Sequence, residues 1–301
     1  MGSYEPPLDQ LLRLDEEAAY GSDWPDYFAM GIGPRHIPDL IRLAADQDFN
    51  ATPSLVDPDA DSSSAYDFMA PVHAWRALGR LRAEEAIPVL VKLVVEGEAN
   101  GFGDSIAEDM PDVFAAIGPA AIPPLVALLE DESAENHPRC DAVSSLGRIA
   151  EAHPELRGEC VAILARNLER AEWRDRSLNA WIVSSLCDLK AGEAAGVIEK
   201  AFQGGFVDES ICGTWYDVWH QHQFPGDPPP IPDRYIGMSS PIYPSGSVSP
   251  PGTFMPSSYP ERSVRPSRTP VVTRAPEERK ERNKSRKKRE QKGKAKKGKR
   301  R

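Results

Sequence analysis

The densest grouping of chemistry-bearing side chains is Trp215-Tyr-Asp-Val-Trp-His-Gln-His222. Asp217, His220 and His222 are residue types that ligate a transition metal. Asp217 and His220, three apart, share a helix face, but His220 and His222 are two apart and fall on different sides, so one ion is poorly served by both. The aromatic residues at 215, 216 and 219 read instead as a terminal helix covering the last element of a stack, and no metal site is expected. Asp208-Glu209, just upstream, could act as an acid/base pair. At a helix start, however, carboxylates meet unpaired N–H groups and the positive end of the dipole, so capping is the default role. Cys140, Cys160, Cys187 and Cys212 contain no Cys-x-x-Cys pair. They are expected to be buried, reduced thiols. Gly97-Glu-Ala-Asn-Gly-Phe-Gly103 lacks the Lys-Ser/Thr and the preceding strand of a phosphate loop. Trp75 is expected in the core, and His36, His137 and His153 near turns as solvated or capping groups. No nucleophile–base order stands out, so the expectation is a non-enzyme with no catalytic residue and no cofactor.

Chemistry of another kind is written into the charge distribution. Residues 1–224 carry 39 Asp+Glu against 16 Lys+Arg, a net of −23, while residues 261–301 carry 19 Lys+Arg against 5 Asp+Glu, a net of +14. Between them, 14 of the 29 prolines fall within Pro225–Pro276 among Ser, Gly and Tyr. Such a stretch buries too little apolar surface to offset the entropy of ordering it. The expected organisation is therefore a helical domain over 1–224, a disordered Pro/Ser-rich linker over 225–275 and a disordered basic tail over 276–301. Candidate binding residues in the tail are Lys284, Arg286, Lys287, Lys288, Arg289, Lys292, Lys294, Lys296 and Lys297. They suit phosphates, which they neutralise without base specificity. No aromatic residues interleave them for stacking on single strands. They suit acidic protein surface equally, this chain's own body included.

Helices must position all of this. The string Ile-Pro-x-Leu-Val/Ile-x-Leu occurs at Ile37–Ala44, Ile87–Val94 and Ile122–Leu129, with weaker copies assigned to Val161–Leu168 and Ala195–Phe202. Leu78-Gly-Arg-Leu-Arg-Ala-Glu-Glu-Ala-Ile-Pro88 returns as Leu186-Cys-Asp-Leu-Lys-Ala-Gly-Glu-Ala-Ala-Gly196. Such periodicity marks stacked helical pairs, because one pair cannot bury its apolar face alone. Ala74, Ala77, Leu78 and Leu81 make one stripe, with Arg76, Arg80 and Arg82 pointing away from it. Ile87, Leu90, Val91 and Val94 make the next. Pro38, Pro88 and Pro123 mark three helix starts, where a missing N–H costs nothing. Gln47–Ser64 reads as an inserted loop. Predicted helices span 7–18, 24–33, 36–46, 66–81, 85–97, 105–117, 120–131, 138–152, 155–171, 175–189, 192–204 and 208–221. The fold class is all-α, a right-handed α-solenoid of about five helical hairpins with a disordered C-terminal tail.

The N-terminus, Met-Gly-Ser-Tyr-Glu-Pro-Pro, is neither basic nor followed by an apolar run, so no signal peptide is predicted. No apolar run nears the ~20 residues of a membrane span. A cytoplasmic monomer without membrane contact is expected.

These residues carry a resemblance. Trp75-Arg-Ala-Leu-Gly79 with Ala86-Ile-Pro-Val-Leu90, and Phe114-Ala-Ala-Ile-Gly118 with Ala121-Ile-Pro-Pro-Leu125, resemble short HEAT-type repeats of the phycobilisome-lyase kind. Val207-Asp-Glu-Ser-Ile-Cys-Gly-Thr-Trp215 is similar to the string that ends the solenoid of an uncharacterised bacterial HEAT-like group. Some of that group carry a Cys/His zinc segment after the solenoid, whereas no cysteine follows Cys212 here. The resemblance implies an interaction scaffold that binds a protein partner through the solenoid, an anionic partner through the basic tail, or both. The alternatives are a bilin lyase or chaperone-like protein and an RNA- or ribosome-associated factor.

Overall fold

A computed structural model describes residues 4–14, 18, 23–49, 69–100, 102–172, 175–224, 226 and 228–233. Apart from 226 and 228–233, the predicted linker and the basic tail with its nine candidate residues lie outside these. So do residues 50–64 of the predicted inserted loop. Backbone contacts divide the chain into Met1–Thr253 and Phe254–Arg301, and every described residue belongs to the first unit. Among the described residues there is no strand, and the fold is all-helical.

The α-helices are α1 (Ile37–Ala44), α2 (Ala70–Arg80), α3 (Ile87–Asn100), α4 (Gly103–Ile117), α5 (Ile122–Glu130), α6 (Asn136–Ala152), α7 (Arg157–Glu169), α8 (Arg176–Asp188), α9 (Ala195–Gln203), α10 (Glu209–Cys212) and α11 (Trp215–His222). Helices α1, α3, α5, α7 and α9 each follow a three-residue 3-10 turn. Pro38 and Pro123 fall in the first turn of their helices, as the missing N–H predicts. Burial repeats with the starts. Ile37, Leu40 and Leu43 are matched by Ile87, Leu90 and Leu93, then by Ile122, Leu125 and Leu128. Leu93, not Val91, thus completes the stripe of α3. In α7 the same spacing is held by Cys160 and Ile163 counted from Arg157, so the fourth copy begins one helical turn before the predicted Val161. Arg157 replaces the apolar first residue there, which hid the true phase.

One row of helices packs in sequence, α2 on α4, α4 on α6 and α6 on α8, and each of these also rests on the helix that precedes it in the chain. The row is tight because Gly79 leaves no side chain where α2 crosses α4. A Cβ there would stand 3.2 Å from the Cα of Val113. Between α4 and α5, Gly118 adopts φ +98°, a region L-residues avoid, and lets the two stretches meet at 119°. No single helix among the described residues is long and apolar enough to cross a membrane.

The 108-residue echo between the Leu78 and Leu186 strings has a structural meaning. Arg82 N–H donates to the Gly79 carbonyl (3.0 Å) and Ala83 N–H to that of Leu78 (3.1 Å). Lys190 and Ala191 repeat this toward Cys187 and Leu186, so α2 and α8 end in the same Schellman motif. The left-handed position is glycine's usual place, yet Arg82 and Lys190 hold it at φ 52°. Lys190→Gly should therefore raise stability by about 0.5–1 kcal/mol. A urea midpoint unchanged or lowered would contradict this.

The ends depart most from expectation. Residues 7–18 contain a 3-10 helix over Leu8–Arg13, and the predicted helix 24–33 is a turn closed by Gly31 at φ +85°. Pro25, Gly31 and Gly33 defeat a helix there. Among the described residues the helices form four consecutive pairs (α2–α3, α4–α5, α6–α7, α8–α9), with α1 before them. The predicted helix 208–221 is broken into α10 and α11 by Gly213 at φ +82°.

Candidate functional site

Helix α2 was expected to expose Arg76. Instead Arg76 is 6% exposed and pairs with Asp109 of α4, itself 3% exposed. Its Nε donates to Oδ2 at 2.6 Å and its Nη2 to Oδ1 at 3.2 Å, a two-pronged pair between successive helices. Trp75 Nε1 donates to the same Oδ2 at 3.3 Å, and Arg76 Nη1 reaches the Ala18 carbonyl at 3.1 Å. Trp75 is buried, as expected, edge-on to Phe102. One turn earlier, His73 Nδ1 lies 3.1 Å from the Tyr27 hydroxyl, while its buried Nε2 has no hydrogen-bond partner. Burial, and then the Arg76 guanidinium, push His73 down to about 3, so the ring is neutral at ordinary pH. Burial pushes the Tyr27 hydroxyl up. Nothing in the local pattern marked Arg76, because the carboxylate that accounts for its burial is 33 residues away.

Above this cluster a groove of about 560 Å³ runs over α2, α4 and α6. Arg80 and Arg82 form one wall, and Asp112 with Ala116 the floor. Arg148, Glu151 and His153 form the far side, and Asp23 and Trp24 close the near end. Arg80 stands over the Trp24 ring, 5.3 Å from its centroid, with Arg76 at 5.8 Å. Arg148 bonds Asp112 of the neighbouring helix and Glu151 on its own. His153 Nε2 lies 2.8 Å from the Ala115 carbonyl at the end of α4, in keeping with the capping member of the two roles, solvated or capping, expected of it. Three arginines thus share the groove with three carboxylates, a surface suited to ion pairs with a ligand of mixed charge.

Residues 47–215, more than half the chain, match the family described as "Protein of unknown function (DUF1186)". The chain belongs to that family. No curated protein and no solved structure matches it. The DUF1186 stretch contains Arg76 and Asp109, the arginine wall and the Arg148–Asp112 pair. Trp24 and Asp23 precede it, and the basic tail follows it.

At the end of the DUF1186 stretch, Asp208 and Asp217 make capping hydrogen bonds. Asp208 caps α10, accepting from Ser210 N–H (3.0 Å) and Oγ (2.6 Å), which holds its carboxyl below the usual range. Asp217 and Thr214 form a reciprocal capping box on α11, Thr214 N–H donating to Oδ2 at 2.8 Å. Trp215 packs between Phe202 and Phe224, and His220 against Tyr216 and Trp219. No group of three metal-ligating side chains is assembled among the described residues. The four thiols are free, and burial first pushes all of them up, Cys160 to about 11 and Cys140 and Cys212 to about 12. They carry little thiolate at neutral pH.

Proposed function

We propose that the chain is a non-catalytic interaction scaffold, a HEAT-like right-handed α-solenoid whose groove over α2, α4 and α6 engages a protein partner. The observation that supports this reading most is the groove's construction. Its walls come from three consecutive helices of one row, so a partner laid across them touches several repeats at once, the usual manner of solenoid recognition. The recurrence of 3-10 turn, helix start and buried stripe at 37, 87, 122, 157 and 195 supports the HEAT-like assignment. On this reading the basic segment 276–301 is an additional arm for an anionic partner.

A photo-crosslinking residue placed at Ala116, on the groove floor, tests this in cells of the native organism. It should give one dominant protein adduct, absent when the same residue replaces exposed Lys200 on α9. Equal or no adducts from the two positions would overturn the proposal.

A further inference from the structure

Two arginines in the groove stand apart. Among the described residues, each other arginine holds a carboxylate, a backbone carbonyl or, for Arg35, a histidine nitrogen. Among the described residues, the Arg80 guanidinium has only the face of Trp24 and the distant field at Tyr27, and the Arg82 guanidinium has no hydrogen-bond or ion-pair partner. In a body with 39 acidic residues over 1–224, guanidiniums without an anion are the exception, and both line the same groove. Both also sit at the C-terminal end of α2, where a cation eases the helix dipole. That accounts for charge at this end, but not for two unpaired forks facing one cavity. The left-handed backbone of Arg82 adds nothing by itself, since Lys190 adopts it outside the groove.

We infer that the groove takes a carboxylate-bearing peptide segment of the partner, with Arg80 and Arg82 pairing its Asp or Glu side chains. This deepens the scaffold reading and rests on it. Guanidinium forks match carboxylates two-pronged. The volume, about 560 Å³, holds a few residues of extended chain. The rest of the lining selects among anions. Asp23, Asp112 and Glu151 would repel a uniform polyphosphate, whereas a segment with isolated carboxylates next to basic or neutral residues meets complementary charge along the groove.

The probe is a net-neutral twelve-residue peptide with two glutamates and two lysines, which the basic tail does not attract. Binding to the full chain is read by fluorescence anisotropy, and its location by hydrogen exchange at 80–85 and 148–153. Affinity should fall about tenfold when the peptide glutamates become Gln, and equally in the Arg80→Gln/Arg82→Gln variant, with the two losses not adding. Lys200→Gln should change nothing, and the double variant should remain cooperatively folded with only a small drop in urea midpoint, because both side chains are exposed and lose only the helix-end and Trp24 contacts. Binding unaffected by either change, no binding, or protection outside the groove would overturn the inference. So would tighter binding of a thymidine oligonucleotide to the same amides. If the Ala116 adduct forms but the peptide fails, the scaffold stands and this inference falls. If the adduct itself is missing, both fall.

Discussion

Asp109→Ala is expected to destabilise the protein by about 3–5 kcal/mol, the cost of leaving a buried guanidinium without its counter-charge. The carboxylate is nearly sealed from solvent and accepts three hydrogen bonds, two from Arg76 and one from Trp75. Its loss strands the Arg76 fork between α2 and α4, which the close approach at Gly79 keeps too tight for easy relaxation. Arg76→Ala should cost a similar amount for the mirror reason. The paired replacement Arg76→Met/Asp109→Leu should recover most of the loss, because it removes both desolvated charges together. Urea unfolding of the four proteins reads this directly. A single-variant cost under about 1 kcal/mol would mean the pair is hydrated in solution.

The second large effect is acid lability through His73. The folded protein keeps the ring neutral down to about pH 3, whereas the unfolded chain takes up a proton near 6.5. The unfolded state therefore binds more protons below 6.5, and stability falls with pH from there. The loss is about 1.4 kcal/mol per unit, on the order of 2 kcal/mol by pH 5 and 5 kcal/mol by pH 3. Carboxylates titrate over the same interval, so the informative quantity is the difference between wild type and His73→Gln. Gln keeps a group for the Tyr27 hydroxyl and cannot take up a proton. Between pH 7 and 5 the wild type should lose about 2 kcal/mol more than the variant. Parallel stability curves would show that His73 is protonated in the folded state.

Two readings of the C-terminal helices separate what was legible from what was not. Asp208 was legible as a cap because capping is local chemistry: the side chain bonds an N–H two residues on. Asp217, three residues before His220, could be imagined as a metal ligand, although the terminal-helix reading was preferred. Its actual partner, Thr214, becomes available only because Gly213 breaks the helix and starts a new one. A glycine at positive φ leaves no periodic trace, so the sequence read one helix where there are two. The same limit applies to the predicted helix 24–33, which Pro25 and the Gly31 turn prevent.

By itself, the sequence determined the helical class, the starts marked by Pro38 and Pro123, the recurrence of the pair and the split between acidic body and basic tail. These follow from helical period, proline's missing N–H and composition, all of which are read within a few residues. Only the tertiary structure decided that Arg76 is a core residue, that His73 is neutral and that Arg80 and Arg82 face one groove with Asp112 and Arg148. Each of those depends on what the next helix, more than thirty residues away, brings within hydrogen-bonding distance or withholds from water. An arginine carries the same formal charge on a solvated face or between two helices, and the neighbouring carboxylate determines which environment it can occupy.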